Sequence, residues 1–483
     1  MDQTVNLDEA GWRRTQEALK LPAVCLSSLV LGLNDVSSSL IGPTSAETYL
    51  SPFIRSNIES LADGSFTRPF TRILTDAAPF VVGAILAAAF LDPMARKVQM
   101  LEYFGPYYVL FMSNYLISHI HIFLFVVGYI WKTEPVPLTV IAHFLLGAYH
   151  CLSLTTVIIL CGRSATKLGA AFGMAALGVL LRTAAAAIFT GSETERKHQQ
   201  HGVVWAVAML TVTLLCAFDK PKNKPKAENP DEESATEKPY QALVTCLQQE
   251  KTPLLPRATT TTPCRVDYPP PASRTTILGA LFSFLHHALI TLIPTSLAHL
   301  TSPPPPSATN PAPQCQFSSF PSASSLITPT FFFWTSLAIT RLTFSSWGED
   351  IPRAKLKRLV SWALIATAVV LLLPGLYSSV GSVDALVAAA CAGVALGSVY
   401  PWVVAVVHRG MGERERLGGI GVVVAFGSAG AVAGLVGSQM VTRFSEGSGV
   451  LHFVVVGGLV GGMLLCWRGL VDEPGSVEDE EVG

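Results

Sequence analysis

Apolar residues run through this chain in long stretches, not in the stripes of a soluble amphipathic helix or the alternation of a half-buried strand. Crossing a bilayer core takes about twenty mostly apolar residues in a helix. By that ruler, spans are predicted at 21–41, 77–92, 103–131, 136–161, 168–190 and 202–218. A second set follows at 275–300, 325–345, 359–380, 383–408, 418–440 and 449–470. The segment between them, 219–274, opens DKPKNKPKAENPDEESATEKP and has no apolar period, which predicts a disordered linker. The expected architecture is an all-α membrane protein of twelve transmembrane helices in two six-helix halves, 21–218 and 275–470, with tails at 1–20 and 471–483. The first span is unusually polar and the second is short. The third is long, and reads as one tilted helix rather than two pieces too short to cross.

Composition agrees with that pattern. Half of the 483 residues are hydrophobic and only 14% are charged, against roughly a quarter charged in soluble domains. A net charge of −1 gives no reason to expect nucleic acid as a partner. The nine cysteines are scattered without a CxxC, so neither a zinc site nor a disulfide framework is indicated, and no cofactor or metal is expected. The chain also lacks GxxxxGK[ST], HExxH, GxSxG and GxGxxG, which removes the direct reasons for an ATP-driven pump or an enzyme. Lys and Arg in the short loops favour one side by fourteen to seven if the N-terminus is inside. Both termini are therefore expected in the cytoplasm, in a plasma or vacuolar membrane, with no cleavable signal peptide.

Ionisable groups inside apolar spans point to function, because each costs roughly 2.5–3.5 kcal/mol to insert. Asp35, Arg182 and Arg341 are the candidates. Asp35 is a possible proton carrier or part of a locally satisfied helix break. Arg341 is suited to gripping an anionic or polyhydroxy ligand, to pairing with a carboxylate, or to snorkelling. Arg182 lies mid-span, where an internal partner is favoured. His119, His121, His143, His150, His286 and His287 also fall in spans, as packing residues or a proton relay. Glycines four apart recur late in the chain, at Gly393 and Gly397, Gly430 and Gly434, Gly457 and Gly461, and Gly458 and Gly462. Such faces allow close helix packing, whether fixed or sliding.

Local motifs add a resemblance. The segment LDPMARKV places Asp92, Arg96 and Lys97 where the major facilitator superfamily carries an inner-loop gating motif, with Ala95 in place of its glycine. The stretch 393–434 resembles spans 10–11 of the fungal fucose-permease-like branch, also called bypass-of-stop-codon-like proteins. Gly393, Gly397, Tyr400 and Pro401 match its GxxxGxxYP element, and Ala425, Phe426, Gly427, Ser428 and Gly430 its AFGSxG element. Leu33, Asn34 and Asp35 match its Leu-Asn-Asp element, and Arg341 its span 8 arginine. The resemblance implies two helical halves around a central cavity and secondary transport of a small polar solute, sugar-like among the options. Asn34, Asp35, Arg182 and Arg341 would serve proton coupling or solute binding. Gly393, Gly397, Tyr400, Pro401, Gly427, Gly430 and Gly434 would shape the moving helix interface. The implied partners are the solute, a proton and the lipid bilayer, with oligomeric state open. The branch's acidic residue in span 4 has no counterpart here, since Glu134 is the only acid between 103 and 161. That absence keeps a second reading open, a transporter-like receptor or membrane scaffold that does not transport.

Overall fold

The computed structural model describes residues 19–34, 73–98, 105–131, 136–188, 193–216, 273–300, 329–348, 351–376, 382–444 and 450–472. The expected linker, most of both tails, Asp35 and the side chains of Asp92, Arg96 and Lys97 lie outside that description. All regular structure among the described residues is helical. In chain order these helices are α1 (Leu19–Leu33), α2 (Ala78–Val98, entered through a π-turn at Ile73–Ala77), α3 (Pro106–Trp131), α4 (Val136–Cys161), α5 (Ala165–Ile188) and α6 (Glu193–Cys216). After the linker come α7 (Arg274–Leu300), α8 (Pro329–Phe344, continued by a 3-10 turn to Gly348), α9 (Arg353–Leu376), α10 (Ser382–Gly397), α11 (Val399–Gly410), α12 (Glu413–Phe444) and α13 (Val450–Val471).

Several starts are written in the sequence. Pro106, Pro137, Pro329 and Pro401 sit in first turns, where a missing N–H leaves no helical bond unmade. Gly105 takes the left-handed backbone, φ 76°, that turns the chain into α3. The third span is one unbroken helix of 26 residues. Among the described residues eight helical stretches are long and apolar enough to cross a membrane, and Leu19–Leu33 and Thr75–Leu91 are shorter apolar helices. Helices α8, only 16 residues long, and α9, whose first turns carry Arg353, Lys355, Lys357 and Arg358, are outside those eight.

The polar first span is a helix because its hydroxyls bond their own backbone. Ser27 donates to the Ala23 carbonyl at 3.0 Å and Ser28 to that of Val24 at 2.9 Å. Back-bonding of this kind is how a serine-rich helix satisfies itself away from water. The outer surface is apolar, with Phe90, Tyr129, Trp362 and Leu465 all exposed, as lipid contact requires. The protein is a multi-pass integral membrane protein.

The helices before residue 217 and those after 271 form one compact unit. Helix α7 lies along α12, α2 along α4, α3 along α6, and α8 along α10. The two sets meet where α5 packs on α8 and α2 on α12. Glycine makes the α7–α12 approach possible. A Cβ at Gly430 would overlap the Phe284 carbonyl, and one at Gly434 that of Ala288, so α7 and α12 touch backbone to backbone. The glycines of α13 behave differently, because Gly457, Gly458 and Gly461 have open space where a Cβ would stand. Identical spacing thus marks a backbone-to-backbone seam in α12, whereas in α13 only Gly462, against the Leu285 side chain, meets a neighbour among the four.

Candidate functional site

A central cavity of about 80 Å³ opens between the two sets of helices. A water needs roughly 10–15 Å³ on the same measure, so the space holds several waters or a small solute. Its walls come from α1, α2, α4 and α5 on one side and from α7, α8, α11 and α12 on the other. Counting α10 and α11 as one, since together they make one candidate membrane span, Val383–Gly410, each side contributes its first, second, fourth and fifth helix. The lining is mainly aliphatic, with the rings of Phe80, Phe172, Trp334 and Tyr400 and the polar groups of His150, His287, Arg341 and Ser428. Among the described residues lining it there is no Asp, Glu, Asn or Gln.

Arg341 is the centre of this chemistry. It is 5% exposed. Its Nε donates to the Gly397 carbonyl at 3.3 Å and its Nη1 to the Phe172 carbonyl at 3.3 Å. Its guanidinium carbon lies 5.9 Å from the centre of the Phe172 ring, within cation–π range. The Gly397 bond has a local cause. In a continuous helix the Gly397 carbonyl would take the N–H of residue 401, but Pro401 has none. The chain breaks between α10 and α11 there, and Arg341 supplies the missing donor. Three residues of the sequence motif therefore meet in one structural device. Pro401→Ala would return an N–H to compete with Arg341 for that carbonyl and mend the break. Thermal unfolding of the variant should show a midpoint unchanged or raised, since a helical bond is restored; a large fall would mean that the break is needed for packing.

Tyr400 sits beside the arginine. Its ring lies 5.0 Å from that of Phe172, stacks on His286 at 4.8 Å and meets His287 edge-on at 4.8 Å. Its hydroxyl shares a hydrogen bond with Ser283 at 3.0 Å. His287 donates from Nδ1 to the Ser283 carbonyl at 2.8 Å, which fixes the ring on the wall of the cavity. A Cβ at Gly427 would press on Ser283 Oγ at 2.7 Å, so that glycine keeps room for the Ser283–Tyr400 pair. Gly393 meets α8 at the Phe333 carbonyl, one turn from Gly397.

Asn34 and Arg182 belong to a second cluster, at the end of α1. Arg182 donates to the Leu33 carbonyl at 2.6 Å. His121 donates from Nε2 to Asn34 Oδ1 at 3.0 Å and accepts at Nδ1 from His201 Nδ1 at 2.9 Å. This network joins α1, α3, α5 and α6. The two arginines expected to act alike thus sit in separate clusters, only one of them on the cavity wall.

Sequence reasoning missed Ser283, Phe172, Trp334, His201 and Asp76. The signal for the α7 residues was present as polar positions four apart, Ser283, His287 and Thr291, within an apolar helix. Asp76 fell in what read as an outer loop. It is instead buried in the π-turn before α2, with His143 Nδ1 of α4 at 4.0 Å. Among the described side chains it is the buried carboxylate. Asp76 and His143 lie on the same α2–α4 seam as Phe80 and His150, whose rings are 5.2 Å apart at the cavity. They are one and two helical turns further along it.

No family model matches the sequence, and no characterised protein matches it by sequence. Solved structures do match by shape. A major facilitator superfamily transporter, FucP, in the outward conformation superposes with a TM-score of 0.57 at 11% identity, covering 93% of this chain and 98% of that one. The human organic anion transporter MFSD10 gives 0.59 at 14% identity, with 93% and 98% covered. A variant of the Escherichia coli fucose:proton symporter gives 0.56 at 12%, with 94% and 98% covered. The fold is that of the major facilitator superfamily transporters.

Proposed function

We propose that this protein is a secondary transporter that moves a small polar solute across a membrane by alternating access, with a proton as the coupling ion. The observation that carries the reading is the symmetric cavity, walled by the first, second, fourth and fifth helices of each side. Such a cavity near the repeat interface is where rocking of two helix bundles would expose a bound solute to either face in turn. The break between α10 and α11, held by Arg341 from α8, gives one bundle a discontinuous helix at the solute. The fold likeness supports the same reading.

Contacts between the two sets cluster at the end of the molecule that carries the loop at 162–164. Arg409 donates to the Arg163 carbonyl at 3.1 Å. Gly162 lies against the His408 ring, and Gly169 against Ser345. This end would be the inner gate in its closed position. A Cβ at Gly162 falls 2.5 Å from His408 Cγ, within reach of the roughly 3.5–4.5 Å Cβ separation of a disulfide. Gly162→Cys with His408→Cys should therefore cross-link on mild oxidation. Uptake into proteoliposomes should then stop and return on reduction, while neither single variant responds to oxidant or reductant. Uptake that continues through the locked gate would contradict alternating access.

A receptor or scaffold of the same fold is the competing reading, suggested by the acid-free wall of the described cavity. It differs in one outcome, binding of a solute without its movement.

A further inference from the structure

The chemistry of the cavity narrows the solute, on the reading that this cavity is the transport site. Arg341 is a buried cation on a mainly aliphatic and aromatic wall. Its hydrogen bonds go to two backbone carbonyls, and among the described residues it meets no carboxylate. Carbonyl dipoles and the Phe172 ring offset part of the cost of burying that charge, but a buried ion stays expensive without a counter-ion. A guanidinium also has N–H groups beyond the two engaged here, arranged as a planar fork that matches a carboxylate or sulfonate.

The rest of the lining points the same way. Recognition of a polyhydroxy solute needs several acceptors and amides to pair its hydroxyls, because each one left unpaired on burial carries a penalty. The described lining has no Asp, Glu, Asn or Gln, while Phe80, Phe172, Trp334 and Tyr400 offer ring surfaces. Such rings bury a flat or branched apolar body well. We propose that the solute is an organic monoanion with an apolar, preferably aromatic, body, its acid group held by Arg341 and its body against those rings.

The test uses the purified full-length protein in detergent and three probes of similar bulk: p-toluenesulfonate, which stays charged at all working pH values; its neutral amide, p-toluenesulfonamide; and L-fucose. Calorimetry should show the sulfonate binding at least tenfold more tightly than either neutral probe. Arg341→Gln should lose at least tenfold in affinity for the sulfonate and leave the sulfonamide unchanged. Arg341→Lys, which keeps the charge without the fork, should fall between them, and its unfolding curve controls for folding. Binding of L-fucose or the sulfonamide as tightly as the sulfonate would overturn the proposal, as would sulfonate affinity unchanged in Arg341→Gln or no binding by any probe. Counterflow of the bound probe in proteoliposomes separates the two claims. A neutral solute that binds and moves leaves a transporter and removes the anion, whereas a sulfonate that binds through Arg341 without moving keeps the anion site and removes transport.

Discussion

Replacing Asp35 with asparagine is expected to abolish accumulation driven by a pH gradient, with the protein still inserted in the membrane. Asparagine keeps the shape and loses the titratable proton, so the variant separates charge from packing. The neighbouring residue gives the reason for choosing this position. Asn34 is buried and accepts from His121, and the Leu33 carbonyl accepts from Arg182. The end of α1 is thereby tied to α3 and α5 by polar groups, an arrangement costly to maintain in a membrane without a use. Asp76→Asn is the necessary companion experiment. Asp76 is buried on the seam that leads to the cavity, 4.0 Å from the His143 Nδ1 that donates to the Thr139 carbonyl. Coupling that is lost in Asp35→Asn and kept in Asp76→Asn assigns the proton to the end of α1. The reverse result moves it to the α2–α4 seam, and supplies from outside span 4 the acid that span 4 lacks.

Gly430→Val should be strongly destabilising. A Cβ at this position overlaps the Phe284 carbonyl, which is backbone and unable to rotate away. The helices α7 and α12 must separate to admit it, along the whole of their shared seam. Overpacking costs about 1–3 kcal/mol where side chains can adjust, and a backbone overlap belongs at or above the top of that range. Gly458→Val is the control, since nothing stands within 4 Å of its Cβ position. Thermal unfolding of the two variants in one detergent should show a large drop for Gly430→Val and almost none for Gly458→Val. Equal drops would mean that the α7–α12 seam is not the close contact described.

These cases show how far the sequence alone could reach. Spans were legible because lipid demands long apolar runs, a constraint local to each helix. Arg341 stood out for the same reason, as a costly residue in an apolar setting, and the Gly397–Tyr400–Pro401 motif through the family resemblance. Their relation was not legible. That the proline orphans the Gly397 carbonyl follows from sequence, but that an arginine 56 residues earlier supplies the donor is a fact of tertiary packing. The His121–His201 pair, 80 residues apart, was hidden in the same way. Glycine spacing was ambiguous because it reports only that a face is smooth. Gly430 and Gly434 face a neighbour while Gly457 and Gly461 do not, and the four-residue spacing is the same in both. Asp76 was misplaced because a π-turn extends α2 backwards past the apolar stretch that defines it.

The reading as a transporter rests on movement, and uptake into proteoliposomes tests it most directly. The full-length protein would be reconstituted and offered labelled sugars and small, membrane-impermeant organic anions, with and without an imposed pH gradient. The account expects one solute to accumulate above its external concentration only when the gradient is present, and to stop when the Gly162–His408 gate is locked. A solute that binds the protein, yet never enters the vesicles under either condition, would contradict it and leave a receptor built on a transporter fold.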